Sequence, residues 1–119
     1  MSVLGLAAGP SGAQATPSKV LYLTQSAAFP HPVLSHSEEV LGRLANDSKA
    51  FDLTVSRDAS TLTANTLRQY DAVVFFTTGE LPMNIGQRGA LLSYVRAGGA
   101  FVGVHSATDT FYDWAGYRD

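Results

Sequence analysis

The chain has 119 residues, 45% hydrophobic and 15% charged, the size and composition of one globular domain with its own core rather than of a disordered chain. Its net charge of −2, with no Lys/Arg cluster, gives a nucleic-acid backbone no electrostatic footprint, and no apolar run approaches the length of a membrane span. There is no cysteine, which removes disulfides, thiolate metal sites and thiol nucleophiles while leaving the redox compartment open.

Residues 1–18 stand apart. They are rich in Ala, Gly, Ser and Pro, carry a short apolar patch at Val3, Leu4, Leu6, Ala7 and Ala8, and contain Ala13-Gln14-Ala15, the small-x-small pattern of a signal-peptide cleavage site. A basic start is missing and the apolar part is short. The stretch therefore reads as a truncated signal-peptide remnant, which would make the protein exported or periplasmic, or as a disordered extension of a cytoplasmic one. Either way the domain is expected over residues 19–119.

Lys19–Thr24 is apolar after its first residue and ends in polar Thr24-Gln25-Ser26, as a buried strand does. Phe29-Pro30-His31-Pro32 cannot be helical, because each proline lacks an N–H and restricts its neighbour. Ser35-x-x-Glu38 is the spacing of a capping box, and Leu34, Val40, Leu41, Leu44 and Ala45 put an apolar stripe on the helix that follows, with Asn46-Asp47 as its stop. Phe51–Ser56 alternates apolar and polar residues, the pattern of an edge strand with one face exposed. A Ser/Thr-rich loop over 59–65 leads to a short helix carrying Leu67 and Tyr70.

Ala72–Thr77 is a second buried strand, ending at Thr78-Gly79-Glu80. Asn84-x-x-Gln87 caps a helix on which Ile85, Gly89, Leu92 and Val95 form the expected apolar stripe, and Gly98 supplies a left-handed stop. The stretch Gly98–Asp109 then runs from Gly-Gly through an apolar strand, expected to be covered on both faces, into the polar cluster His105-Ser106-Ala107-Thr108-Asp109. Strands alternating with helices imply βαβ units, and right-handed crossovers with the second strand at an edge give the order 2-1-3-4. The fold class is α/β, a flavodoxin-like parallel sheet with helices on both faces. Phe111, Tyr112, Trp114 and Tyr117 need a surface to bury against, and the last strand is left as a bare edge, so the chain reads as an incomplete N-terminal portion of a domain.

In open parallel sheets ligands bind beyond the carboxyl ends of the strands. Three strand ends here would deliver Thr24, Gln25 and Ser26; Thr77, Thr78 and Glu80; and His105, Ser106, Thr108 and Asp109 to one rim. Such a polar rim suits a hydroxyl-rich ligand, since each hydroxyl taken from water needs a partner. The competing reading is a polar loop in which Asp109 caps a short helix and the histidine bonds a backbone carbonyl. His105 is the best acid/base candidate, its ordinary pKa lying near ~6.5, with Asp109 or Glu80 to orient its ring. A His105/Ser106/Asp109 hydrolytic triad is disfavoured, because adjacent strand residues point to opposite faces. His31, His36 and His105 lack the spacing of metal ligands, so no metal site is expected, and Thr24-Gln25-Ser26-Ala27 is not a glycine-rich phosphate loop.

Phe29-x-His31, the stretch Tyr70–Leu81, the stretch Gly98–Thr110, and then Trp114 and Tyr117 together resemble the trehalose-utilisation (ThuA-like) family, across residues 19–119. The resemblance implies a class I glutamine amidotransferase-like fold and a role in carbohydrate metabolism, on trehalose-like or oxidised sugars. His105 matches the position of the amidotransferase cysteine nucleophile, so with no cysteine only the fold is shared, not the thiol chemistry. The family domain also continues past this length, with a further His-Pro motif in its second half. The expected site is accordingly His105 as acid/base with Asp109 and Glu80 around it. Thr24, His31, Thr78, Ser106 and Thr108 serve as ligand contacts, and Tyr112 or Trp114 as a surface for a sugar face, although Trp114 fits packing better. The expected partner is a small-molecule carbohydrate; no cofactor is named and homo-oligomerisation stays open. The alternative is a non-catalytic carbohydrate-binding or interaction module on the same fold.

Overall fold

A computed structural model describes residues 16–119. The cleavage-like Ala13-Gln14-Ala15 lies outside the described residues. Four parallel strands form one sheet: β1 (Ser18–Ser26), β2 (Phe51–Ser56), β3 (Ala72–Thr78) and β4 (Ala100–Gly103), in the order β2-β1-β3-β4. This is the expected 2-1-3-4 arrangement of a flavodoxin-like sheet.

Register is fixed at the lower end of the sheet by Asp71. Its carboxylate accepts from the Lys19 N–H (2.7 Å), its own N–H donates to the Lys19 carbonyl, and its carbonyl accepts from the Ala100 N–H. From there Leu21 pairs with Val73 and Leu23 with Phe75, while Val73 pairs with Phe101. Because side chains alternate across a strand, these residues share one face. Against that face pack Leu62, the short helix α2 (Ala64–Leu67) through Leu67, Leu81, Met83, and the helix α3 (Ile85–Arg96) through Leu91.

The opposite face carries Val20, Tyr22, Val74, Val102 and Val104, and the helix α1 (Leu34–Ser48) lies along part of it, leaving an open apolar groove. Polar contacts hold α1 there: Tyr22 Oη bonds Ser37 Oγ (2.9 Å), and Thr24 Oγ1 donates to Glu38. β2 alternates as expected, half-burying Phe51 and Leu53 while Asp52 and Thr54 face solvent.

Several expectations are corrected. β4 is not covered on both faces: all four of its residues are exposed, Val102 to 47%, because among the described residues nothing pairs beyond it and α1 does not reach it. Ser35 does not cap α1. Val33 occupies the cap position without a side-chain bond, Glu38 turns to the sheet instead, and the helix runs past Asn46-Asp47 to Ser48, where Lys49 takes φ 55°. Asn84 and Gln87 do form the capping box of α3, and Gly98 does take a left-handed φ of 102°. The inward stripe of α3, however, is Leu91 with Ala90 and Tyr94, and Ile85 is 89% exposed. Of the expected stripe only Leu92 is half-buried, beside Gly116, while Ile85, Gly89 and Val95 face outward.

Three of the four terminal aromatics, Phe111, Trp114 and Tyr117, find their surface within the chain, while Tyr112 stays exposed. Phe111 is fully buried and meets Trp114 (5.0 Å between ring centroids) and Tyr117 (5.2 Å), and Tyr117 also stacks on Phe75. The Arg88 guanidinium lies over Phe111 at 4.9 Å, and the last helix α4 (Ala115–Arg118) carries Tyr117, whose hydroxyl donates to the Ala107 carbonyl. Burial pushes the Tyr117 hydroxyl up to about 12.

β3 continues past Thr78 into Gly79 (φ 76°), where an added Cβ would stand 2.7 Å from Ala28 Cβ. Gly79→Ala is therefore expected to cost about 2–3 kcal/mol from the left-handed backbone and the collision together. Urea denaturation of the variant and parent checks this, and an unchanged midpoint would contradict the close approach.

Candidate functional site

The upper rim of the sheet is closed by backbone bonds. The Ala27 N–H donates to the Thr78 carbonyl (2.8 Å), the Val104 N–H to the Phe75 carbonyl (2.8 Å), and Gly79 pairs in parallel with Thr110. The Gly79 N–H also donates to the Asp109 carbonyl and the Phe111 N–H to the Gly79 carbonyl. β4 thus ends at Gly103, and the chain breaks at once into a 3-10 turn over His105–Asp109. Two non-glycine residues in this connection have left-handed backbones, His105 (φ 49°) and the buried Phe111 (φ 55°). A histidine there carries strain of roughly 1–3 kcal/mol, retained because the bonded rim leaves the turn no other course.

The strained turn puts the His105 imidazole on the α1 side of the sheet. Its ring stands nearly perpendicular to His31 (83°, centroids 5.2 Å) and to Phe76 (84°, 5.8 Å). His31 comes from the opposite side, out of the proline-flanked loop after β1, and also touches Phe76 (5.9 Å) and Phe29 (5.3 Å). That loop is tied to the sheet by Phe29, whose carbonyl accepts from Thr78 Oγ1 (3.2 Å) and is 3.1 Å from His31 Nδ1. Two imidazoles, one exposed and one half-buried, therefore face each other over an aromatic floor. Neither His105 nitrogen has a hydrogen-bond or ion-pair partner among the described residues, which leaves both free for a ligand.

Of the expected site residues, His31, His105 and Thr78 are brought together here. Ser106, next in the turn, is buried, and its Oγ has no partner among the described residues. Thr108 is exposed, with its hydroxyl 3.5 Å from the His105 carbonyl, and Tyr112 is 53% exposed at the surface. Thr24 is buried and its hydroxyl is committed to Glu38. The two carboxylates expected to orient His105 do not reach its ring. Glu80 turns to Arg88 (3.4 Å) and to the Asp113 N–H (3.2 Å), and the exposed Asp109 takes part in the rim through its carbonyl. Trp114 packs against Phe111, Tyr117 and Arg88, away from the rim. Among the described residues no three His, Cys, Asp or Glu side chains cluster as metal ligands.

Two features escaped the sequence reading. Phe76 was read as strand core, although its place one residue before Thr77-Thr78 already marked it as the last large apolar group below the rim. Glu38, read as a helix cap, joins Thr24 and Arg57 beside the β1 end. Hydrogen bonds from Arg57 first, and from Thr24, hold its carboxyl below the usual range against the opposing effect of burial.

With this geometry described, the chain can be set against known proteins. The sequence profile of the ThuA family, described as trehalose utilisation, matches residues 19–119. No curated protein matches. Among solved structures, a ThuA-like protein from Bacteroides uniformis superposes with a TM-score of 0.65 at 21% identity, over 85% of this chain and 41% of its own. At that identity the likeness speaks for the fold, and the chain spans well under half of that protein's length.

The Glu38 cluster carries a pH signature. A carboxylate held below its unfolded value of 4.5 stabilises the fold above that value, and the contribution is lost as pH falls through the lower folded value. Arg57 is mostly exposed, so screening keeps the magnitude small. Glu38→Gln is expected to lose about 1 kcal/mol of stability at pH 7, a gap that narrows and closes as the pH is taken down through the acid range when parent and variant are denatured in parallel. A gap independent of pH would contradict the assignment.

Proposed function

The chain belongs to the ThuA (trehalose utilisation) family, and from that premise we propose that it binds and processes a trehalose-like or oxidised sugar at the carboxyl ends of its parallel strands. The observation that carries the reading is His105: a left-handed residue at a strand end, its ring against His31 and Phe76, with both nitrogens unclaimed by the described residues. An imidazole titrating near neutrality can take a proton from a sugar hydroxyl and return it, and it can equally donate a hydrogen bond to a carbonyl oxygen. With Phe76 buried beneath them, the rings of His105 and His31 are themselves the apolar edge for the C–H face of a sugar ring, and their nitrogens serve the hydroxyls around it. In this reading the exposed Thr108 and Tyr112 are secondary contacts, and the buried Thr78 acts through the Phe29 carbonyl that also holds His31. Ser106 Oγ is buried without a partner among the described residues, and a water or ligand oxygen admitted at the turn would satisfy it.

A second reading rests on a specific observation. Glu80 is occupied by Arg88 and Asp113, and Asp109 does not bond the ring, so among the described residues no carboxylate orients His105. A carbohydrate-binding module without catalysis needs no such group.

The two readings separate in one comparison, with the full-length protein given trehalose and its keto derivatives. His105→Ala is expected to lower turnover about 100- to 10,000-fold while sugar binding, followed by calorimetry, changes only a few-fold. Binding by a parent that turns over none of these sugars favours the module. Activity lost in Ser106→Ala but kept in His105→Gln would remove His105 from its role and make Ser106 the nucleophile.

A further inference from the structure

The hydrogen bond at the back of His31 fixes which of its nitrogens faces the site. His31 Nδ1 lies 3.1 Å from the carbonyl oxygen of Phe29. A carbonyl only accepts, so Nδ1 carries the proton, and the neutral ring has a bare lone pair on Nε2. The bond is held from several directions. Thr78 Oγ1 donates to the same Phe29 carbonyl, the His31 N–H points to Ser26 Oγ (3.4 Å), and the His31 carbonyl accepts from the Leu34 N–H at the start of α1. Pro30 and Pro32 stiffen the loop on both sides. His31 is thus oriented by its own loop, as His105 is by its strained turn.

We infer that His31 is the second proton acceptor of this site, a pre-set Nδ1–H imidazole whose Nε2 serves the ligand that His105 also addresses. The inference rests on the rim reading above and gives His31, through the Phe29 carbonyl, the kind of orienting partner that His105 lacks among the described residues. The ligand class it implies is one with two polar oxygens on neighbouring positions, such as a diol or a hydroxy-carbonyl pair. In the forward step a ligand O–H bond breaks as the Nε2–H bond forms, leaving an imidazolium; the reverse step restores both. With the two rings 5.2 Å apart, one ligand can meet both. The groups packed on the rings are Phe29, Phe76 and each other, and no carboxylate, ammonium or guanidinium bonds or ion-pairs with either ring among the described residues.

The test is nitrogen-15 NMR of the histidine side chains in the full chain without ligand. His31 is expected as the Nδ1–H tautomer at pH 8, and a dominant Nε2–H tautomer or an even mixture would overturn the inference. His105→Asn, chosen because asparagine tolerates the left-handed backbone, is expected to move the His31 ring resonances at pH 8, since the two rings lie 5.2 Å apart; unmoved resonances would show that the rings do not share a site. Finally, His31→Asn keeps a donor for the Phe29 carbonyl and loses Nε2. An unchanged melting temperature with turnover down about 100-fold supports the proton role, and unchanged turnover refutes it. A parent inactive on every sugar would sink the function proposed above, while both spectral results would still decide the state of His31.

Discussion

The constraint on which the structure depends is the parallel pairing of β3 on both of its sides. Asp71 sets the start of that pairing by tying the beginnings of β1 and β4 together, and Gly79 ends it by accepting the chain from Ala27–Ala28 on one side and Thr110 on the other. Between these two points the strands have no freedom of register. The loop after β1 and the turn after β4 must then emerge at the same end and flank Phe76. The two histidines meet because the sheet is parallel and in this register; a slip of one residue would send one of them to the other face.

The same constraint accounts for the uneven distribution of strain. Backbone departures from ordinary geometry gather where β3 ends, at Gly79, His105 and Phe111, with Lys49 the one other non-glycine residue of positive φ among the described residues. Phe111 is repaid by full burial among Trp114, Tyr117 and Arg88. His105 is exposed, with only the edges of His31 and Phe76 against its ring and no hydrogen bond to it among the described residues. A residue held in a costly conformation without burial in return is a stronger candidate than a histidine chosen from its neighbours in sequence.

Strand order, strand direction and the position of the rim were legible in the sequence because they follow from apolar runs, a single alternating strand and right-handed crossovers. That His105, His31 and Thr78 lie together at the rim was legible for the same reason: they are what the strands and their loops deliver. What escaped was set by side-chain partners rather than by pattern. Glu38 fits a capping box on paper, yet Arg57 and Thr24 compete for it more effectively in three dimensions. Glu80 and Asp109 stand close to His105 along the strand ends, but Arg88 claims the first and the rim uses the backbone of the second. The burial of β4 was over-read, since an apolar run reports what a strand can tolerate on its faces, and nothing in a run says whether the faces are covered.

The most direct measurement of the central claim is chemical-shift mapping of the chain as trehalose or a keto derivative is added. The account requires the shifts to concentrate at His31, Phe76, Thr78, His105 and Ser106, at the upper rim. Shifts confined instead to the opposite end of the sheet, in the cleft between α2 and α3 lined by Arg68, Tyr70 and Tyr94, would contradict it.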